Sequence, residues 1–123
     1  MCIRDRPKLL PQHVVVVGAR SYEPAERALL DQLGVRVIDA AEVTRTGLRA
    51  VMADAIRQVK SGTAAFGVTL DLDAFDPAVA PGVGTPETDG LTAHGMTQAL
   101  AACARDANFA AFELVEYLSL IHI

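Results

Sequence analysis

The chain has 123 residues, 51% of them hydrophobic and 21% charged, with 11 basic against 15 acidic side chains and a net charge of −4. That length buries the core of one ordinary domain, and a mildly acidic chain without basic clusters excludes a nucleic-acid surface. No apolar run approaches the roughly 20 residues needed to span a bilayer, and two cysteines cannot build a disulfide framework.

In chain order, His13–Gly18 is a β-branched apolar run closed by glycine, the pattern of a strand buried on both faces. Pro24 suits a first helical position and Gly34 a helix end, with Ala25, Ala28, Leu29 and Leu33 as the apolar stripe between them. Val35–Ile38 reads as a second buried strand. Leu48, Val51, Met52, Ala55, Ile56 and Val59 follow the helical period to a stop near Ser61 and Gly62. A third strand covers Ala65–Leu72. The segment from Asp73 to Gly90, rich in Pro and Gly, is much longer than the usual loop of about 4–6 residues. Thr92 can cap a further helix with Met96, Ala99, Leu100 and Cys103 inside, although Gly95 denies it a capping box. Phe109–Val115 is the fourth strand. Strands alternating with helices through short connections predict an α/β fold, a doubly wound parallel sheet with helices on both faces.

The two ends differ from this patterned middle. Back-translated, Met1–Arg6 and Leu118–Ile123 can be the two strands of one short DNA element, as in a transposon-type sequencing adaptor. They are therefore set aside as non-native tails. Residues 7–117 are expected to be one unit, a piece of a larger sheet with strands missing on at least one side. Removing Arg4, Asp5 and Arg6 takes the net charge from −4 to −5. Without Cys2 and His122, the remaining Cys103, His13 and His94 support neither a zinc cluster nor a cysteine–histidine pair. No secretory leader is evident, so a cytoplasmic location is expected.

Asp71 and Asp73 stand where the third strand gives way to the long loop. Two residues apart on a strand, they would share a face at roughly 7 Å separation, given about 3.3 Å per residue. Adjacent carboxylates at a largely buried strand end repel one another and resist desolvation, which a cation would relieve. On this spacing alone, a cation site competes with solvated turn caps. The C-terminal edge of a parallel sheet is also where such folds bind ligands. Asp76, before Pro77, reads as a turn former.

The stretch from Asp71 to Pro86, in the pattern DxDxxDPxxAPGxGTP, resembles the signature of the ureohydrolase family, which comprises arginases, agmatinases and formimidoylglutamases. Val17–Glu26 with Leu33-Gly34-Val35 resembles the arginase branch, and Phe112–Tyr117 resembles the family's last active-site strand. The resemblance implies a three-layer, arginase-like α/β fold, of which this chain is the C-terminal part. It makes Asp71 and Asp73 ligands of a pair of manganese ions, an assignment that suits hard oxygen donors. It assigns Glu116 to the substrate guanidinium, through charge-assisted hydrogen bonds, against an exposed acid at a strand end. Thr85 would lie beside the guanidinium or serve turn geometry. Glu23 would recognise the α-amino group of an amino-acid substrate or cap the helix at Pro24.

The implied reaction is manganese-dependent attack of an activated water on a guanidinium carbon. The preferred substrate is L-arginine, giving L-ornithine and urea, in a cytoplasmic homo-oligomer, a trimer or hexamer. Agmatinase or formimidoylglutamase activity, or a non-catalytic α/β fragment, is the alternative. A receiver-like phosphoacceptor domain is disfavoured because no lysine follows Lys60. The family's remaining metal ligands, in motifs of the GGDH and DAHxD type, and its proton-shuttle histidine are absent from residues 7–117, and the chain alone is expected to be inactive. His94 is expected at the surface, and Cys103, Met52 and Met96 in the core. Asp89-Gly90 departs from the two glycines usual in the family, and Leu118-Ser119 from its Asn-Pro.

Overall fold

The structure, a computed structural model, describes residues 9–118. Most of both proposed tails, with Cys2 and His122, lies outside the described residues.

The first strand, β1 (Val15–Ala19), starts two residues later than the sequence pattern predicts. Pro11 opens a 3-10 turn over Pro11–His13, and Val14 N–H closes it on the Pro11 carbonyl at 3.0 Å. β1 pairs in parallel with β2 (Arg36–Asp39), from Val15 opposite Arg36 to Val17 opposite Ile38. Between them α1 (Pro24–Leu33) begins at proline and ends at Gly34 in the left-handed conformation, as its end signals predict. Its apolar stripe is not buried as its periodicity predicts: Ala25, Ala28, Leu29 and Leu33 are all exposed, with Leu29 at 53%. β1 is likewise only half-buried at Val15, Val16 and Val17, since nothing among the described residues covers its second face fully.

An additional helix, α2 (Ala40–Thr46), follows β2 without a loop. Gly47 ends it and starts α3 (Leu48–Lys60): its N–H bonds to the Val43 carbonyl at 2.8 Å, while its own carbonyl accepts from Val51 N–H at 3.2 Å. A φ of 90° makes this junction possible and calls for glycine. α3 has the predicted bounds and face, with Val51 and Ala55 buried and Met52 half-buried.

β3 (Phe66–Asp71) pairs in parallel with β4 (Phe109–Val115), and α4 (Ala93–Cys103) connects back between them. Thr92 caps α4 by accepting from Gly95 N–H at 3.2 Å, and Met96, Ala99 and Cys103 are buried as predicted. The two strand pairs, β1-β2 and β3-β4, are separate ladders among the described residues. One apolar cluster joins them: Ile38, Val43 and Val51 from the first half meet Leu70, Phe75, Leu91 and Met96 from the second. Ion pairs brace the outside, with Arg36 on Asp54 at 2.7 Å and Lys60 on Asp106 at 2.6 Å. Among the described residues no helix is long and apolar enough to cross a membrane.

Candidate functional site

β3 ends at Asp71, and the next three residues form a 3-10 turn, Leu72–Ala74. Asp71 and Asp73 are therefore not two positions of one pleated strand, as their spacing predicts. They are brought together by a turn that the first aspartate caps: Asp71 Oδ1 accepts from Asp73 N–H at 2.8 Å. A carboxylate that satisfies the first free N–H of a turn stabilises the bend and fixes the side chain that follows.

The long loop folds back on this turn. Thr85 donates its backbone N–H at 3.2 Å and its hydroxyl to the same oxygen, Asp73 Oδ2. The other oxygen, Asp73 Oδ1, is buried and has no hydrogen-bond partner among the described residues. An unpaired buried carboxylate oxygen is costly. Hard oxygen donors in that condition fit a divalent cation such as manganese. Two carboxylates are a partial donor set, since no group of three or more His, Cys, Asp or Glu side chains able to hold an ion occurs among the described residues.

Asp76 behaves as the turn former expected before Pro77. Its Oδ1 accepts from Ala78 N–H at 2.9 Å and its Oδ2 from Asp89 N–H at 3.2 Å, closing the base of the loop. Phe75 and Leu91 pair across that base. Gly90 is required there, because a Cβ would collide with the Phe75–Asp76 peptide. Asp89 takes φ 61°, the left-handed region that favours glycine.

Glu116 arrives from β4. Asp71 lies opposite Val115 in the β3-β4 register, so Glu116 is the first residue past that pair. It too has a left-handed φ, 58°, and its carboxylate packs on the loop beside Thr85: a Cβ at Gly84 would sit 3.2 Å from Glu116 Oε2. Leu118 N–H then bonds to the Gly82 carbonyl at 2.9 Å, tying the chain after Glu116 to the same loop. The residue is exposed at the loop edge.

Asp71, Asp73, Thr85 and Glu116 are thus gathered at the C-terminal edge of the β3-β4 pair. Glu23 is not drawn into this group. It is exposed at the start of α1 and makes no side-chain cap there. His94 is a surface residue whose ring nitrogen meets Gln98 Nε2 at 3.0 Å. Arg20, just past β1, lies within the Val17–Glu26 stretch, to which the sequence reading gave no role at this position: its guanidinium donates to main-chain carbonyls at both ends of the loop. Beyond that stretch, its sequence signal is a cation at the C-terminal end of a parallel strand, facing an acidic loop.

Fold and site together define an α/β unit of parallel strands with an acidic strand end enclosed by a Gly- and Pro-rich loop. Residues 2–121 match the family described as the arginase family, and the chain belongs to it. Arginase of Bacillus caldovelox is 42% identical over 86 residues, which are 70% of this chain and 29% of that protein. Guanidinopropionase of Pseudomonas aeruginosa is 40% identical over 84 residues, 67% of this chain and 26% of that protein. The native structure of the B. caldovelox arginase superposes with a TM-score of 0.88 at 36% identity, covering 94% of this chain and 38% of that one. The fold is accordingly arginase-like and partial. The chain spans about three tenths of the length of the arginases it matches.

Proposed function

We propose that this chain is the segment of a manganese-dependent arginase that supplies two metal-binding aspartates and the guanidinium-binding edge, the longer protein hydrolysing L-arginine to L-ornithine and urea. The observation that carries this is Asp73, whose Oδ1 is buried without a partner while Thr85 holds Oδ2. Asp71 and Asp73 would hold the metal, which when bound supplies Lewis acidity and an activated water at neutral pH. Thr85 keeps Asp73 in one rotamer, so the carboxylate need not be ordered when the ion arrives. Glu116 binds the guanidinium by charge-assisted hydrogen bonds, a pairing whose planar geometry orients the substrate carbon. Glu23 recognises the α-amino group from the loop between β1 and α1.

Among the described residues two carboxylates are too few donors for this chemistry, and the 123 residues alone are expected to release no urea from arginine. The deciding experiment is metal-dependent profiling of the full-length protein with arginine, agmatine, guanidinobutyrate and formimidoylglutamate. Turnover of arginine above the others supports the reading, and preference for a substrate without an α-amino group reassigns it within the family. We further propose a trimer or hexamer for the full-length protein, which light scattering would test.

A further inference from the structure

We propose that Arg20 is a positioning residue for the acidic strand end, fixing the main chain of Asp73 and thereby the aim of its carboxylate at a divalent cation. This rests on the reading of Asp71 and Asp73 as cation ligands. Arg20 is half-buried one residue past β1. Its Nη2 donates to the carbonyls of Asp73 and, at 3.2 Å, Phe75, and its Nη1 to those of Glu87 and, at 2.9 Å, Thr88. All four acceptors are main-chain carbonyls, two at each end of one loop. A single side chain therefore staples the ends of the segment that carries Thr85.

The chemistry of the acceptors matters. An arginine paired with the Asp73 carboxylate would occupy the oxygen that a cation needs. Donation to the Asp73 carbonyl instead holds the residue from behind, while Thr85 holds Oδ2 from the loop, leaving Oδ1 as the free ligand atom. Four carbonyls approached by two terminal nitrogens require the rigid planar fork of a guanidinium. A lysine ammonium is a point donor on a flexible stem and spans the two loop ends poorly.

The test compares the wild-type chain with Arg20→Met, Arg20→Lys and Asp73→Asn by amide NMR. In metal-free protein, Arg20→Met is expected to speed exchange of the Thr85 amide at least tenfold while β1-β2 amides keep their rates, and Arg20→Lys to recover only part of the protection. On titration with Mn2+, Arg20→Met is expected to need about tenfold more metal to broaden the signals around Asp71 and Asp73. Unchanged Thr85 exchange in Arg20→Met overturns the proposal, and so does unchanged broadening in that variant where Asp73→Asn abolishes it. Broadening that survives Asp73→Asn instead removes the cation reading, and with it the purpose assigned to Arg20, even where exchange shows that Arg20 holds the loop. General loss of β1-β2 protection in both Arg20 variants would also overturn the proposal, making the arginine a requirement of the fold.

Discussion

Thr85 gives both its donors to one oxygen of Asp73, and the second oxygen of that carboxylate is buried with none. A site arranged purely for stability would share the donors between the two oxygens. Leaving one buried acceptor unpaired costs on the order of 1–3 kcal/mol, a cost that persists where function requires it. Asp73→Asn is therefore expected to leave the stability of the metal-free chain within about 1 kcal/mol of wild type, because the amide removes a charge from a partly buried position. It should at the same time abolish Mn2+-dependent broadening. Urea denaturation provides the first measurement. A loss of several kcal/mol there would make the carboxylate a structural element.

The loop base separates two kinds of constraint. Asp89 has φ 61°, where a side chain is strained, and Asp89→Gly is expected to stabilise the protein by up to about 1 kcal/mol. Gly90 next to it is limited by space, since any Cβ meets the Phe75–Asp76 peptide. Gly90→Ala should cost about 1–3 kcal/mol by overpacking. Thermal melts of the two variants should move in opposite directions.

Cys103 is fully buried, at 0% exposure, and burial pushes its thiol pKa up. In a Cys2→Ser background a thiol reagent is expected to label the native chain only at the rate of unfolding, and the denatured chain at once. Cys103→Ser should destabilise by about 1–3 kcal/mol, the cost of burying a hydroxyl in an apolar helix interface. Prompt labelling of the native protein would contradict the burial.

Lys60 and Asp106 join the end of α3 to the turn before β4, at 2.8 and 2.6 Å from the two carboxylate oxygens. The Lys60 hydrogen bond, then the Asn108 amide, hold the Asp106 carboxyl below its ordinary 3.8. With the folded pKa depressed, the unfolded chain binds more protons as pH falls, so the contribution is complete above that ordinary value and is lost as pH drops through the folded pKa. The stability difference between wild type and Lys60→Met should be constant near neutrality and shrink towards zero in strong acid. Denaturation curves collected across that range measure it. A difference that grows on acidification would reverse the assignment.

Much of the architecture was legible because it is local. Gly34 marks the end of α1 and Thr92 the start of α4 because caps act within one turn of backbone, and the face of α3 repeats at the helical period. The DxD and the loop after it were legible as a candidate site, and the roles expected of Glu116 and Thr85 came only from the family resemblance. By contrast, the exposed stripe of α1 was unreadable: Leu29 and Leu33 have core periodicity, and only the packing of the chain decides whether anything covers them. α2 escaped because its junction depends on Gly47 serving two helices at once.

What the sequence alone determined, then, is the order of elements and the presence of two aspartates at a strand end, since propensity, capping and periodicity are properties of neighbouring residues. Only the tertiary structure decided how those aspartates are held. Asp71 caps a turn instead of sharing a pleat with Asp73, Thr85 reaches back 12 residues to take one oxygen of Asp73, and Arg20 reaches across 53 to take its carbonyl. Such bonds join residues far apart in the chain, and their partners are chosen by where the loop closes, which no local spacing records.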